Sequence, residues 1–130
     1  MFQTIMIVDD SSTARMITRR CLEITGYQDS TFLEANDGSQ ALSLAKQNQV
    51  DLMVVDLNMP DMDGRSLLKH LKASPRLNHI PVLIISSLIT KAMEKELKEI
   101  GAFAALIKPI SPANLVNVLK SLTAETTWGL

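Results

Sequence analysis

Thr4-Ile5-Met6-Ile7-Val8-Asp9-Asp10 is a short run of β-branched and apolar residues that stops abruptly on two acids. Its apolar side chains are consecutive rather than alternating, the pattern of a strand buried on both faces of a parallel sheet. Asp51-Leu52-Met53-Val54-Val55-Asp56 repeats the arrangement, and a third apolar run over residues 102–107 closes on Lys108-Pro109. Parallel strands lying side by side present their carboxyl ends on one rim, so the charge begins where burial ends, and Asp9, Asp10 and Asp56 converge there.

The segments between these runs supply helices. Ser11 or Ser12 caps a helix whose apolar side is expected to carry Met16, Ile17, Cys21 and Ile24, with Gly26 as its left-handed stop. A weaker strand is predicted over residues 30–34. The turn Asn36-Asp37-Gly38 then introduces a helix with Ala41, Leu42, Leu44 and Ala45. After the loop Asn58-Met59-Pro60-Asp61-Met62-Asp63-Gly64, in which Asp61 and Asp63 suit turn and cap roles, a helix carrying Leu67, Leu68 and Leu71 runs until Pro75. Residues 81–85 form strand four, ending at Ser86-Ser87. A polar helix follows over residues 90–100, with Glu94 and Lys98 in the favourable order and Gly101 as terminator. Ser111 and Pro112 open a last helix with Leu115, Val118, Leu119 and Leu122 on one face. Five strand–helix alternations joined by short connections give an α/β fold, a five-stranded parallel sheet with helices on both faces.

The whole chain is consistent with that frame. Its 130 residues suit a single domain, 46% apolar and 21% charged content is ordinary for a globular protein, and a net charge of -1 gives no electrostatic case for nucleic acid. Cys21, the one cysteine, reads as a small core residue; with His70 and His79 it is too little for a zinc centre. The first apolar stretch is cut off by Asp9-Asp10 too early for a secretory segment, and no run reaches membrane-spanning length. No membrane insertion and a cytoplasmic location are therefore the expectation.

Functional groups stand at the ends of strands one, three, four and five: Asp9-Asp10, Asp56, Ser86 and Lys108. Carboxylates about 4 Å apart repel by about 1 kcal/mol in water and about 4 kcal/mol at an effective dielectric near 20, so three of them call for a cation. An oxygen-only ligand set suits Mg²⁺, which keeps several waters and leaves room for a phosphoryl oxygen. The loop after Asp56 can add a backbone carbonyl.

Val8-Asp9-Asp10-Ser11-Ser12, Asp56-Leu57-Asn58-Met59-Pro60-Asp61-Met62-Asp63-Gly64, Ser86 and Lys108-Pro109, taken in order, resemble the motifs of CheY-like receiver domains of bacterial response regulators, over residues 4–122. The resemblance implies a flavodoxin/CheY-like (βα)5 fold with strand order 2-1-3-4-5, with a receiver domain over residues 1–122 and a tail over 123–130. It implies that Asp56 accepts a phosphoryl group from a phosphohistidine on a sensor histidine kinase or a histidine phosphotransfer protein. Asp10, Asp56 and the Asn58 backbone carbonyl would then hold Mg²⁺, Asp9 would act through water, and Ser86 and Lys108 would meet the phosphoryl oxygens. A cis Lys108-Pro109 bond would aim the amine inward. Such a protein is a phospho-acceptor that assists its own phosphorylation and dephosphorylation, not an enzyme in the usual sense.

The sequence departs from that pattern at one place. Many receivers carry Tyr or Phe where this chain has Ala105, so the aromatic that follows the hydroxyl residue during activation is absent. Phe103, about 6–7 Å along the same expected face, is no obvious substitute. Activation is instead expected to reshape the loop over residues 86–90 and the polar helix after it, with Leu88 placed to influence access of water to the phosphoryl group. Output is expected through protein contact on the face of helix four, strand five and helix five, and Trp128 in the tail is a contact or simply mobile. Three other functions compete. A haloacid-dehalogenase-like phosphatase would need a second acid where Asn58 stands, and a P-loop nucleotidase would need a glycine-rich cradle. A non-phosphorylated interaction module would not need the complete acceptor set.

Overall fold

The computed structural model describes residues 2–128, and their side chains through residue 122. Its elements are β1 (Thr4–Val8), α1 (Ser12–Leu22), a π-helical turn (Glu23–Tyr27), β2 (Thr31–Ala35), α2 (Gly38–Gln47), β3 (Leu52–Asp56), α3 (Gly64–Ala73), β4 (Val82–Ser86), α4 (Lys91–Ile100), β5 (Ala104–Ile107) and α5 (Pro112–Trp128). The strands form one parallel sheet in the order β2-β1-β3-β4-β5, as the resemblance implied. β3 and β4 are buried along their whole length and β1 at all but its first residue, whereas the edge strands β2 and β5 are only partly covered. Consecutive apolar runs therefore mark the three central strands.

Alternate side chains feed two cores. Met6, Val8, Met53, Val55, Val82 and Ile84 pack on one face with Leu67, Leu68 and Leu71 of α3 and Leu97 of α4. Ile5, Ile7, Leu52, Val54, Leu83 and Ile85 pack on the other with Cys21 and Leu22 of α1 and Leu115 and Leu119 of α5.

The helix starts follow side-chain capping. Ser11 Oγ accepts from Ala14 N, Asp37 from Gln40 N, Asp63 from Ser66 N, Thr90 from Met93 N and Ser111 Oγ from Asn114 N, each satisfying a first-turn N–H. Gly26 and Gly101 take the positive φ angles of 111° and 131° expected at helix stops, and Asp61 takes φ 65° in the loop before α3.

Three expectations are corrected. Met16, Ile17 and Ile24 do not face the core; they are 67%, 50% and 58% exposed, while α1 buries Thr18, Cys21 and Leu22. The π-helical turn widens the winding after Leu22, so a 3.6-residue period carried on to Ile24 loses its phase, whereas Met16 and Ile17 lie on the outer side of the regular α1. Phe103 lies ahead of β5 and packs with the α1/α5 core, on the opposite side of the sheet from Ala105, so it shares no face with that residue. The backbone of α5 continues through Trp128, so residues 123–128 extend the helix where a loose tail was expected. The Trp128 side chain and Gly129 and Leu130 lie outside the described residues.

At the pole opposite the acids, Lys72 of α3 donates to Asn78 O at 3.0 Å and Ile80 O at 2.8 Å, and its stem lies where a side chain on Gly101 would stand. Burial lowers its pKa below that of an ordinary lysine.

Gly64 sets how closely α3 approaches the end of β3. Its N–H donates to Leu57 O at 2.9 Å, and an added Cβ would lie 2.6 Å from Asp56 O and 2.8 Å from Leu57 Cα. Both obstacles are backbone, which cannot rotate away. Gly64→Ala should cost about 1–3 kcal/mol, the usual price of overpacking, measured as a lower urea midpoint at unchanged m.

Candidate functional site

Strand register assembles the site. Val8 pairs with Val55, so the next step of each strand sets Asp9 beside Asp56, and Asp10 follows in the same loop. Ser86, the last residue of β4, is paired with Ile107, and Lys108 comes immediately after. Residues spread over a hundred positions of chain thus reach one rim because five parallel strands end together.

Asp9, Asp10 and Asp56 each offer a carboxylate oxygen, and the three atoms lie within 4.8 Å of one another. Asp9 and Asp56 are buried, at 1% and 5% exposed, and Asp10 is exposed. Lys108 Nζ enters from the β5 side, donating to Asp9 Oδ2 at 3.2 Å and lying 3.4 Å from Asp56 Oδ1. The Lys108-Pro109 bond is cis, as the resemblance implied.

The electrostatics follow from this geometry. Burial, reinforced by the negative charge of Asp9, pushes the Asp56 carboxyl above the ordinary carboxylate range, and Lys108 and the Asn58 N–H only partly oppose it. Burial disfavours the Lys108 ammonium, but Asp56 and Asp9 outweigh it and hold the amine above the ordinary lysine range. Among the described residues Lys108 is the one cation in salt-bridge contact with these acids, reaching Asp9 and Asp56, so the pocket keeps an excess of negative charge. Closely spaced, hard oxygen donors with unneutralised charge fit a small divalent cation, and Asp10, with its exposed carboxylate, leaves the pocket open to solvent.

Surrounding groups fix the acids. Ser11 N donates to Asp9 Oδ1 at 3.0 Å, and Arg15 Nη1 donates to Asp9 O at 2.6 Å while its Nε donates to Glu34 Oε1 at 2.8 Å. Asn58 N donates to Asp56 Oδ1 at 3.4 Å. The Asn58 side chain reaches the other way, its Nδ2 donating to Ser86 Oγ at 3.2 Å, and Leu88 N donates to the same oxygen at 3.4 Å. Lys108 N donates to Ser86 O at 2.8 Å.

The structure therefore brings Asp9, Asp10, Asp56 and Lys108 into one cluster and connects Ser86 to it through Asn58. Asp63 caps α3. Ala105 packs in the core on the α3/α4 face, beside the strand that ends in Ser86 and with no ring behind it. Sequence reasoning missed Arg15 and the Asn58 amide. Arg15 carried a signal, one helical turn beyond Ser11 and next to the acids, whereas the Asn58 contact depends on a loop conformation that no periodicity encodes.

Comparison with known proteins places this geometry. Residues 5–120 match the family described as response regulator receiver domain. The chain is 36% identical over 118 residues to the chemotaxis protein CheY-3 of Vibrio cholerae, covering 91% of this chain and 89% of that protein. It is 31% identical over 125 residues to the polar-differentiation response regulator DivK of Brucella ovis, covering 96% and 99%. The structure of Vibrio cholerae chemotaxis protein CheY4 superposes with a TM-score of 0.81 at 27% identity, covering 93% of this chain and 98% of that one. The chain belongs to the response regulator receiver domain family.

Proposed function

We propose that Asp56 is the phospho-acceptor of this receiver domain and that the chain switches protein contacts when an aspartyl phosphate forms there. The observation carrying this reading is the juxtaposition of a buried carboxylate at the end of β3 with two further acids and one lysine. The incoming phosphoryl group brings negative charge to a pocket that already holds an excess. Mg²⁺, held by Asp10, Asp56 and the Asn58 backbone carbonyl with Asp9 acting through water, would neutralise phosphoryl charge there.

The chain's own residues supply position. Asp56 Oδ attacks phosphorus in line as the nucleophile, and the bond from phosphorus to the donor imidazole nitrogen breaks, returning its electron pair to the histidine. Lys108 Nζ, already between Asp9 and Asp56, meets a phosphoryl oxygen, and the Ser86 hydroxyl meets another. Burial of Asp56 excludes water from the nucleophile. The donor is a sensor histidine kinase or a histidine phosphotransfer protein, and the receiver is a signalling domain rather than a conventional enzyme.

Output runs to a downstream protein through the α4/β5/α5 face. α4 buries only Leu97, and Ile107 and Val116 on the neighbouring elements are exposed, which makes this side adaptable. Among the described residues no helix is long and apolar enough to cross a membrane. A cytoplasmic site of action is part of the proposal.

Incubation with acetyl phosphate and Mg²⁺ should add one phosphoryl group by intact mass, and Asp56→Asn should abolish the addition. Rapid multi-turnover release of phosphate from small substrates would instead support a phosphatase. A second prediction follows from the raised Asp56 pKa. The folded state holds this proton more tightly than the unfolded chain, so the carboxylate's contribution to stability falls as pH rises through the raised value. Without Mg²⁺, Asp56→Asn should therefore have a higher Tm than the parent protein at pH 7. The difference should shrink below the ordinary carboxylate range, where both forms are neutral, and Mg²⁺ should raise the Tm of the parent more than that of the variant.

A further inference from the structure

Ser86 Oγ sits in an unusual hydrogen-bonding position. The residue is 1% exposed, so bulk water does not satisfy the hydroxyl. Two groups approach it, Asn58 Nδ2 at 3.2 Å and Leu88 N at 3.4 Å, and both are donors only. A serine hydroxyl has two acceptor lone pairs and one proton. The two N–H groups occupy both lone pairs, which leaves the proton as the single uncommitted valence.

We infer that the Asn58 side-chain amide is a positioning residue that, together with Leu88 N–H, presets Ser86 as a hydrogen-bond donor toward the acceptor aspartate. This rests on the reading of Asp56 as the phospho-acceptor. A phosphoryl oxygen accepts and never donates, so a hydroxyl with both lone pairs already engaged is matched to it before it arrives. Asn58 is suited to couple the two sites because its own N–H is on Asp56 Oδ1 at 3.4 Å while its amide is on Ser86. An acid at position 58 would reverse the arrangement, since a carboxylate would take the serine proton. The choice of asparagine over aspartate thus fixes the direction of the Ser86 hydrogen bond.

The test uses beryllofluoride, a phosphoryl mimic, titrated by calorimetry into the Mg²⁺-loaded full chain. Asn58→Ala keeps the backbone carbonyl and removes only the amide; it should weaken beryllofluoride binding about fivefold, the worth of one neutral hydrogen bond. Asn58→Leu, similar in volume, should show the same loss. In a Ser86→Ala background, Asn58→Ala should cost less than twofold, because the group it positions is gone. Every titration is made at saturating Mg²⁺, so a change in metal affinity does not enter the comparison. Equal binding by Asn58→Ala and the parent, or an undiminished loss in the Ser86→Ala background, would each overturn the positioning role while leaving Asp56 as acceptor. Failure of the parent chain to bind beryllofluoride, or undiminished binding by Asp56→Asn, would overturn the underlying reading instead.

Discussion

The arrangement rests on confining three carboxylates and one ammonium to the end of a sheet whose central strands are otherwise apolar but for Thr4 and Ser86 at their ends. Asp9 and Asp56 are buried beside one another, an arrangement that a core made only of hydrocarbon would not tolerate. Lys108 makes it tolerable, and it does so only because β5 lies two strands from β3 in the same parallel sheet and ends at the same rim. Fold and site are one constraint: the strand order that closes the two cores is also the order that delivers the charges.

That constraint leaves the site under electrostatic tension. Asp56 holds its proton more readily than a free aspartate because it is buried and lies beside Asp9, and Lys108 holds its proton more tightly than a free lysine because Asp56 and Asp9 outweigh its burial. A divalent cation bound among these carboxylates would oppose the first condition and compete with Lys108 for the same oxygens.

Much of this was legible in the sequence because it is encoded by patterns with a direct physical cause. Unbroken apolar runs identify β1, β3 and β4, since only a strand covered on both faces can lack polar alternation. Ser11, Asp37, Asp63, Thr90 and Ser111 are ordinary cap residues and mark helix starts. The ends of the runs locate Asp9, Asp56, Ser86 and Lys108. What failed involved departures from ideal periods. The π-helical turn after α1 shifts the helical phase before Ile24, Met16 and Ile17 lie on the outer side of α1, and the break before β5 turns Phe103 away from Ala105. The contacts of Arg15 and the Asn58 amide depend on loop conformation, which local sequence constrains weakly.

Lys72 gives α4 two unequal ends. At its far end, Gly101 packs on the Lys72 stem, the Gly101 and Ala102 N–H groups both donate to Leu97 O, and the ammonium is anchored on the carbonyls leading into β4. At its near end the helix is capped by Thr90, packs Met93 against the core and follows the short loop from Ser86, where Leu88 is exposed. The structure thus fastens α4 more firmly at the end remote from the acids than at the end beside them.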